Sequence, residues 1–316
     1  MKIIDLHRKL ISDIYTNEFL LCLSGGQDSL TLLKLISDLK QDYSWKFGLI
    51  YFDHHYRKDS LINLQQLINV CKTTDARLFI YESFTYNKSE LKSRNWRYNT
   101  TIDIAFQYNY STILVAHTLT DISELFFQRV ISVHNLDSLN NFNLILQNSS
   151  ILNIIKPLLN IRRIETYWFC RIFCLPIWSD STNYEFFHCR NRLRQELFPY
   201  LQRYFQPSLE QKILSFLQET QQDIEYLHKA TLKLYFLIKH PIWSAINYRV
   251  LLNQPSALQN RLLKLFFKYA VHITLSIKEI KLIISKLTTI DKNTCIYTYY
   301  CYKVILTNSW LYIIIK

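Results

Sequence analysis

The chain has 316 residues, 49% of them hydrophobic and 15% aromatic, enough for one large or two modest domains with a real core. No window holds 18 consecutive apolar residues, which excludes a membrane-spanning helix, and seven irregularly spaced cysteines fit a reducing compartment better than a disulfide framework. A net charge of +12 points to a polyanionic partner, nucleic acid first, but abundant Lys, Asn, Ile, Tyr and Phe with scarce Gly and Ala also read as translation of an AT-rich genome.

In chain order, Asp5, Arg8, Lys9 and Asp13 come first and argue against a signal peptide. Residues 18–23 read as a short buried strand and 30–36 as the apolar face of a helix, with Ser24-Gly25-Gly26-Gln27-Asp28-Ser29 between them. Average usage of about 7% predicts roughly 22 glycines. The chain has 3, and two of them stand side by side here. Strand, small-residue turn and helix form the geometry in which backbone N–H groups and a helix dipole converge on an anion. A plain turn would also use Gly for its backbone freedom and Asp28 as a helix N-terminal charge, but it rarely needs both glycines and both serines. Walker A is excluded because no Lys ends the loop, and the dinucleotide fingerprint because the two glycines are adjacent. What remains, S-G-G-x-D-S, resembles the PP-loop of the ATP pyrophosphatases, which split ATP into AMP and pyrophosphate. That resemblance assigns Ser24, Gly25, Gly26, Gln27, Asp28 and Ser29 to ATP, with Asp28 as a magnesium ligand beside phosphate oxygens.

Strands at 45–52, 77–81 and 112–116 alternate with helical stretches at 61–71 and 89–108. Such alternation predicts an α/β fold, a doubly wound parallel sheet with ligands at the strand C-termini. Asp53-His54-His55-Tyr56-Arg57 follows one strand end and His117-Thr118-Leu119-Thr120-Asp121-Ile122-Ser123-Glu124 follows another. Asp121 and Glu124 share a helical face, so two carboxylates aim at the polyphosphate, for magnesium or for a substrate amine; ordinary helix N-terminal charge is the competing explanation. Residues 132–150, rich in Asn and Ser, read as a loop. Lys156-Pro157-Leu158-Leu159 leads into a helix, in which Cys170 and Cys174 at helical spacing read as buried packing residues. Asp180-Ser181-Thr182-Asn183 and Cys189-Arg190-Asn191-Arg192-Leu193-Arg194 come next, with the helix ending near Pro199. Arg190 and Arg194 share a face and Arg192 points elsewhere, a set that suits ATP phosphate or RNA phosphate equally. A boundary is expected near Phe205-Gln206-Pro207, giving domains 1–205 and 206–316. The second is smaller and mainly helical (209–238, 255–270, 277–287), and closes with short strands at 294–300, 303–306 and 310–315.

The ordered set of these landmarks, with Arg94-Asn95-Trp96-Arg97-Tyr98, Pro157-Leu158-Leu159 and Arg190-Asn191-Arg192-Leu193-Arg194, resembles the tRNA(Ile)-lysidine synthases over about the first two-thirds of the chain. Departures are Thr120 where the family has the first Asp of a pair, His55 for a common Gly and Thr118 for a common His. The resemblance implies ATP-dependent ligation of lysine to C2 of the wobble cytidine in a CAU anticodon, through an adenylated base, changing decoding from AUG to AUA. It implies catalytic Asp28, Arg97, Asp121, Glu124, Arg190 and Arg194, with magnesium on Asp28 and Asp121. Glu124 would bind the lysine amine or take its proton, and Arg192 and Arg194 would contact tRNA. The helical second domain would read the body of the tRNA. Expected partners are ATP, Mg2+, tRNA(Ile) with a CAU anticodon, free L-lysine and a second copy in a homodimer, with no membrane. The expected compartment is the plastid stroma (chloroplast), with the bacterial cytoplasm as the alternative. A PP-loop tRNA thiolase is the runner-up, but it would need a cysteine nucleophile or a C-x-x-C, and neither is evident.

Overall fold

The structure is a computed structural model that describes residues 7, 10, 14–53, 60–82, 90–132, 137, 152–178, 189–289, 295–299 and 301–315. His54, His55 and Arg57, nearly all of the 132–150 stretch, and Asp180-Ser181-Thr182-Asn183 lie outside these residues. The chain divides into two compact units, Met1–Gln218 and Glu219–Lys316.

The first unit runs β1 (Glu18–Leu23), α1 (Gln27–Leu39), β2 (Lys46–Asp53), α2 (Ser60–Lys72), β3 (Arg77–Glu82), α3 (Glu90–Gln107), β4 (Thr112–Leu114), α4 (Leu119–Ser132), β5 (Asn153–Ile155) and α5 (Arg163–Ile172). Its strands form one parallel sheet in the order β3-β2-β1-β4-β5. The expected doubly wound sheet is therefore present, and its strand order reverses between β1 and β4, the crevice where such sheets bind ligands. β1 is apolar from Phe19 to Leu23 because both faces are covered there. Phe19, Leu21 and Leu23 pack with Leu30, Leu33 and Ile36 of α1, while Leu20 packs with Ile50, Ile113 and with Ile104 and Ala105 of α3. The third glycine, Gly48 in β2, answers a close approach: a Cβ there would stand 2.6 Å from Tyr110 Oη and 3.1 Å from Phe79.

Two expectations need correction. Cys170 is buried in α5, but the helix stops at Ile172 and Cys174 is exposed beyond it with φ 48°, so the two do not pack as a helical pair. The helical path does not end near Pro199. It runs through α6 (Cys189–Arg192), a π turn (Leu193–Leu197) and α7 (Phe198–Tyr204), with Pro199 in the first turn of α7. Pro199, which has no N–H to donate, follows the π turn, whose Phe198 N still donates to Leu193 O.

α8 (Leu209–Ile238) begins in the first unit, where Ile213 and Leu217 pack with Ile122 of α4, and the first unit runs to Gln218. The second unit holds the rest of α8, then β6 (Ala245–Asn247), α9 (Tyr248–Leu252), α10 (Ser256–Val271), α11 (Ile277–Thr289), β7 (Cys295–Tyr299), β8 (Tyr302–Thr307) and β9 (Trp310–Ile315). Its strands pair as one antiparallel sheet, β6-β9-β8-β7, over Leu262, Phe266 and Phe267 of α10 and Ile280 and Ile283 of α11. No helix among the described residues is long and apolar enough to cross a membrane.

Candidate active site

The glycine loop joins β1 to α1 at the switch point. Gly25 has φ 79°, a left-handed conformation that side chains resist, and a Cβ on it would stand 2.6 Å from Asn63 Oδ1. Gly26, at φ −77°, has no such need; a Cβ there would meet only Ser24 Oγ at 3.4 Å, so what its bareness leaves open is the approach to the loop. The two serines brace the turn. Gly26 N donates to Ser24 Oγ (3.3 Å), Ser24 N to Ser29 Oγ (3.2 Å), and Ser29 Oγ to Gly26 O (3.0 Å). As N-cap of α1, Gly26 supplies no side-chain cap, so the first-turn N–H groups suit an anion.

Asp28 sits in the first turn of α1, mostly buried. Its Oδ1 accepts from Thr166 Oγ1 at 2.5 Å, and Arg163 Nη1 lies 3.3 Å from Oδ2. Burial pushes this carboxyl above its ordinary range, Arg163 and Thr166 pull it back, and the charge of Asp121 pushes it up again. The side chain of Gln27 turns to α5, donating to Arg163 O (2.8 Å) and Thr166 Oγ1 (3.1 Å), so only its main chain belongs to the loop.

After β4, Asp121 caps its own helix. Thr118 N and Thr118 Oγ1 both donate to its Oδ2 at 2.9 Å, while its Oδ1 takes a short bond from Arg190 and lies 3.9 Å from Arg194 Nη2. Burial opposes ionisation of Asp121, but Arg190, His117 and the Thr118 bond outweigh it and hold the carboxyl below the usual range. Glu124, 0% exposed, accepts from Arg190 Nε at 2.5 Å and Arg194 Nε at 2.6 Å. The expected face of Arg190 and Arg194 therefore exists and closes on both carboxylates of α4. Glu124 is occupied by these two guanidiniums, so its immediate role here is to organise them. Arg192 points the other way, to Glu196 at 3.2 Å, on a face where the two side chains are 62% and 52% exposed. His117 is pushed down to about 4, chiefly by burial and further by Lys156, Arg190 and Arg94 against the pull of Asp121. Arg97, on α3, lies near enough to the Cys22 thiol for its charge to act on it, and burial drives that thiol up to about 12.

Thr120 is buried and takes its partners from two other helices. Its Oγ1 donates to Glu210 Oε1 (2.7 Å) and accepts from Arg163 N (3.0 Å), pinning α5 and the first turn of α8 to α4. Sequence reasoning missed Arg163 and Thr166. One signal was present: Arg162 and Arg163 open a helix, where cations run against the dipole, so their charge must serve something else.

Among the described residues no group of three or more His, Cys, Asp or Glu could form a cage of protein ligands. Asp28 lies close enough to Asp121 to feel its charge, and two carboxylates are the number a magnesium uses when phosphate supplies its other ligands.

A family described as a PP-loop domain matches residues 2–201. The chain is 41% identical to a chloroplastic tRNA(Ile)-lysidine synthase of Pyropia yezoensis over 83% of this chain and 82% of that protein. It is 36% identical to a tRNA(Ile)-lysidine synthase of Nostoc over 68% of this chain and 63% of the relative. In three dimensions it resembles a U34-tRNA thiolase from Methanococcus maripaludis, with a TM-score of 0.59, 14% identity, and 69% and 78% of the two chains covered; at that identity the likeness speaks for the fold alone. With the glycine loop at the switch point and the likeness to the Pyropia protein over 83% of this chain, the chain belongs to the tRNA(Ile)-lysidine synthase family of PP-loop ATPases.

Proposed function

We propose that the chain ligates lysine to C2 of the wobble cytidine of tRNA(Ile) with a CAU anticodon, consuming ATP and releasing AMP and pyrophosphate. The observation that carries this reading is the convergence of the glycine loop with the Asp121, Glu124, Arg190 and Arg194 cluster at one sheet crevice, in a chain of this family. A pyrimidine carbonyl is a poor electrophile. In the first step its C2 oxygen attacks the α-phosphorus, the bond from phosphorus to the bridging oxygen breaks, and pyrophosphate leaves. In the second step a lysine amine attacks C2, AMP departs with the oxygen, and the amine loses a proton.

The loop's role is to hold the triphosphate by its main-chain amides. Arg190 and Arg194 face the negative charge that builds on phosphate, and Glu124 fixes their geometry so that little reorganisation is needed during reaction. Asp28 and Asp121 would hold magnesium, which supplies charge neutralisation for the departing pyrophosphate. Both α4 carboxylates are already bonded, but Asp121, with its side chain 13% exposed, can be reached by an incoming amine, whereas Glu124 at 0% cannot. Arg192 and the second unit are the proposed tRNA contacts.

The chloroplastic names of relatives support the plastid stroma as the site of action, and the Nostoc relative keeps a bacterial cytoplasm as the alternative. A thiolase reading gains only the fold likeness. Nucleoside analysis of unmodified tRNA(Ile) after incubation with ATP, Mg2+ and labelled lysine tests the proposal. Lysidine is expected, and incorporation of sulfur from a sulfur donor with none of lysine would overturn it.

A further inference from the structure

We propose that Arg163 is a charge placeholder for the divalent cation: its guanidinium holds Asp28, competes with the cation for it, and moves to the polyphosphate once the cation takes the carboxylate. The inference rests on the reading above only in that a divalent cation accompanies ATP.

The geometry supplies each part. Thr166 fixes Oδ1 of Asp28 at 2.5 Å, which leaves Oδ2 facing Arg163 at 3.3 Å. That separation is longer than the 2.7–2.9 Å of a strong charge-assisted bond, so the pair is one a doubly charged ion can displace. Yet Asp28 is only 14% exposed, and a carboxylate so buried needs a positive neighbour to remain ionised. Arg163 cannot be there for its helix, since a cation at the first residue of α5 opposes the dipole. Its backbone is tied at both groups, N to Thr120 Oγ1 and O to Gln27 Nε2, so the base of the side chain is fixed relative to the glycine loop. The side chain is the part left to move, and at 28% exposure it has room to do so. The same guanidinium also acts on Asp121, which places its charge among both carboxylates expected to hold the metal. A planar guanidinium released from Asp28 is well matched to phosphate oxygens.

The test uses full-length protein and Mn2+ as the probe, with free Mn2+ followed by its paramagnetic resonance signal. Without nucleotide, Arg163→Met should bind Mn2+ about tenfold more tightly than the unsubstituted chain, and Arg163→Lys should fall between them. At saturating Mn2+, the ATP dissociation constant should move the opposite way, rising about tenfold in Arg163→Met and partly recovering in Arg163→Lys. A residue with only a structural role would not tighten one ligand while loosening the other. Equal or weaker Mn2+ binding by Arg163→Met overturns the placeholder role, and unchanged ATP affinity overturns the transfer to phosphate. Should the methionine variant not fold, the lysine variant decides by the same comparison. If neither chain binds Mn2+ even with ATP, the magnesium reading fails and takes this inference with it. Neither tRNA nor lysine enters the assay, so lysidine formation is judged separately.

Discussion

Glu124 has no solvent to fall back on: its side chain is 0% exposed and its two oxygens are held by Arg190 and Arg194. Neutralising Glu124 leaves guanidiniums that are 44% and 20% exposed, with Arg190 still paired to Asp121, so the cost is about 1–3 kcal/mol. Glu124→Gln should therefore lower unfolding stability by that order in urea titration as well as lysidine formation; a loss below about 1 kcal/mol would mean the cluster is solvated. His117 gives a second test. Its native value of about 4 lies below the ordinary 6.5, so between these pH values the unfolded chain binds a proton that the folded chain refuses. Stability contributed by neutral His117 is thus complete above 6.5 and lost as pH falls toward 4. In nuclear magnetic resonance the imidazole should stay neutral at pH 5.5, and a midpoint near 6.5 would contradict its burial. At this scale the sequence made legible what is local. Gly25, Asp28 and Asp121 stand in short patterns whose spacing already implies their chemistry. Arg163 and Thr166 lie more than 130 residues from Asp28, and only the pairing of α1 with α5 brings them to it.

Elements that carry their own periodicity were readable in advance, and those that owe their existence to neighbours were not. β1, β2 and β3 are six to eight residues of apolar pattern, whereas β5 and β6 are three residues each, held by pairing with β4 and β9. The π turn at Leu193–Leu197 likewise has no local signature, yet it accompanies the turn of Arg194 toward Glu124. Thr120 reads as a lost carboxylate in sequence and as a three-element clamp in the fold, because its partner Glu210 lies 90 residues on. Gly48 tests how tightly the sheet is packed at the element scale. In Gly48→Ala the new methyl would meet Tyr110 Oη at 2.6 Å and its Cζ at 2.9 Å, a contact that must distort the α3–β4 connection. Overpacking of this kind costs about 1–3 kcal/mol. Adding Tyr110→Phe removes the nearer atom but not the ring carbon, so thermal denaturation should show partial recovery. Full tolerance of Gly48→Ala alone would show that Tyr110 moves freely.

Across the whole molecule the charge is unevenly shared, and the imbalance separates codon bias from function. Of the 37 basic and 25 acidic residues, 13 and 5 lie in 219–316, leaving 24 and 20 in 1–218. The second unit thus carries +8 of the net +12 in under a third of the chain. An AT-rich genome would raise lysine in both units alike, and basic residues are indeed about equally dense in each. What differs is the shortage of acids in the second unit, which lysine codons do not produce. A surface cleared of carboxylates is what RNA phosphate requires. Lys278 and Lys281, both exposed on α11, sample that surface. If each meets a phosphate, Lys278→Gln/Lys281→Gln should weaken tRNA binding most at low salt and flatten the plot of log affinity against log salt by about two units of slope. ATP binding, seated in the first unit, should be unchanged. A parallel plot with the original slope would mean that the acid-poor surface does not face the nucleic acid, and the tRNA would then have to be held by the first unit and the exposed face of Arg192.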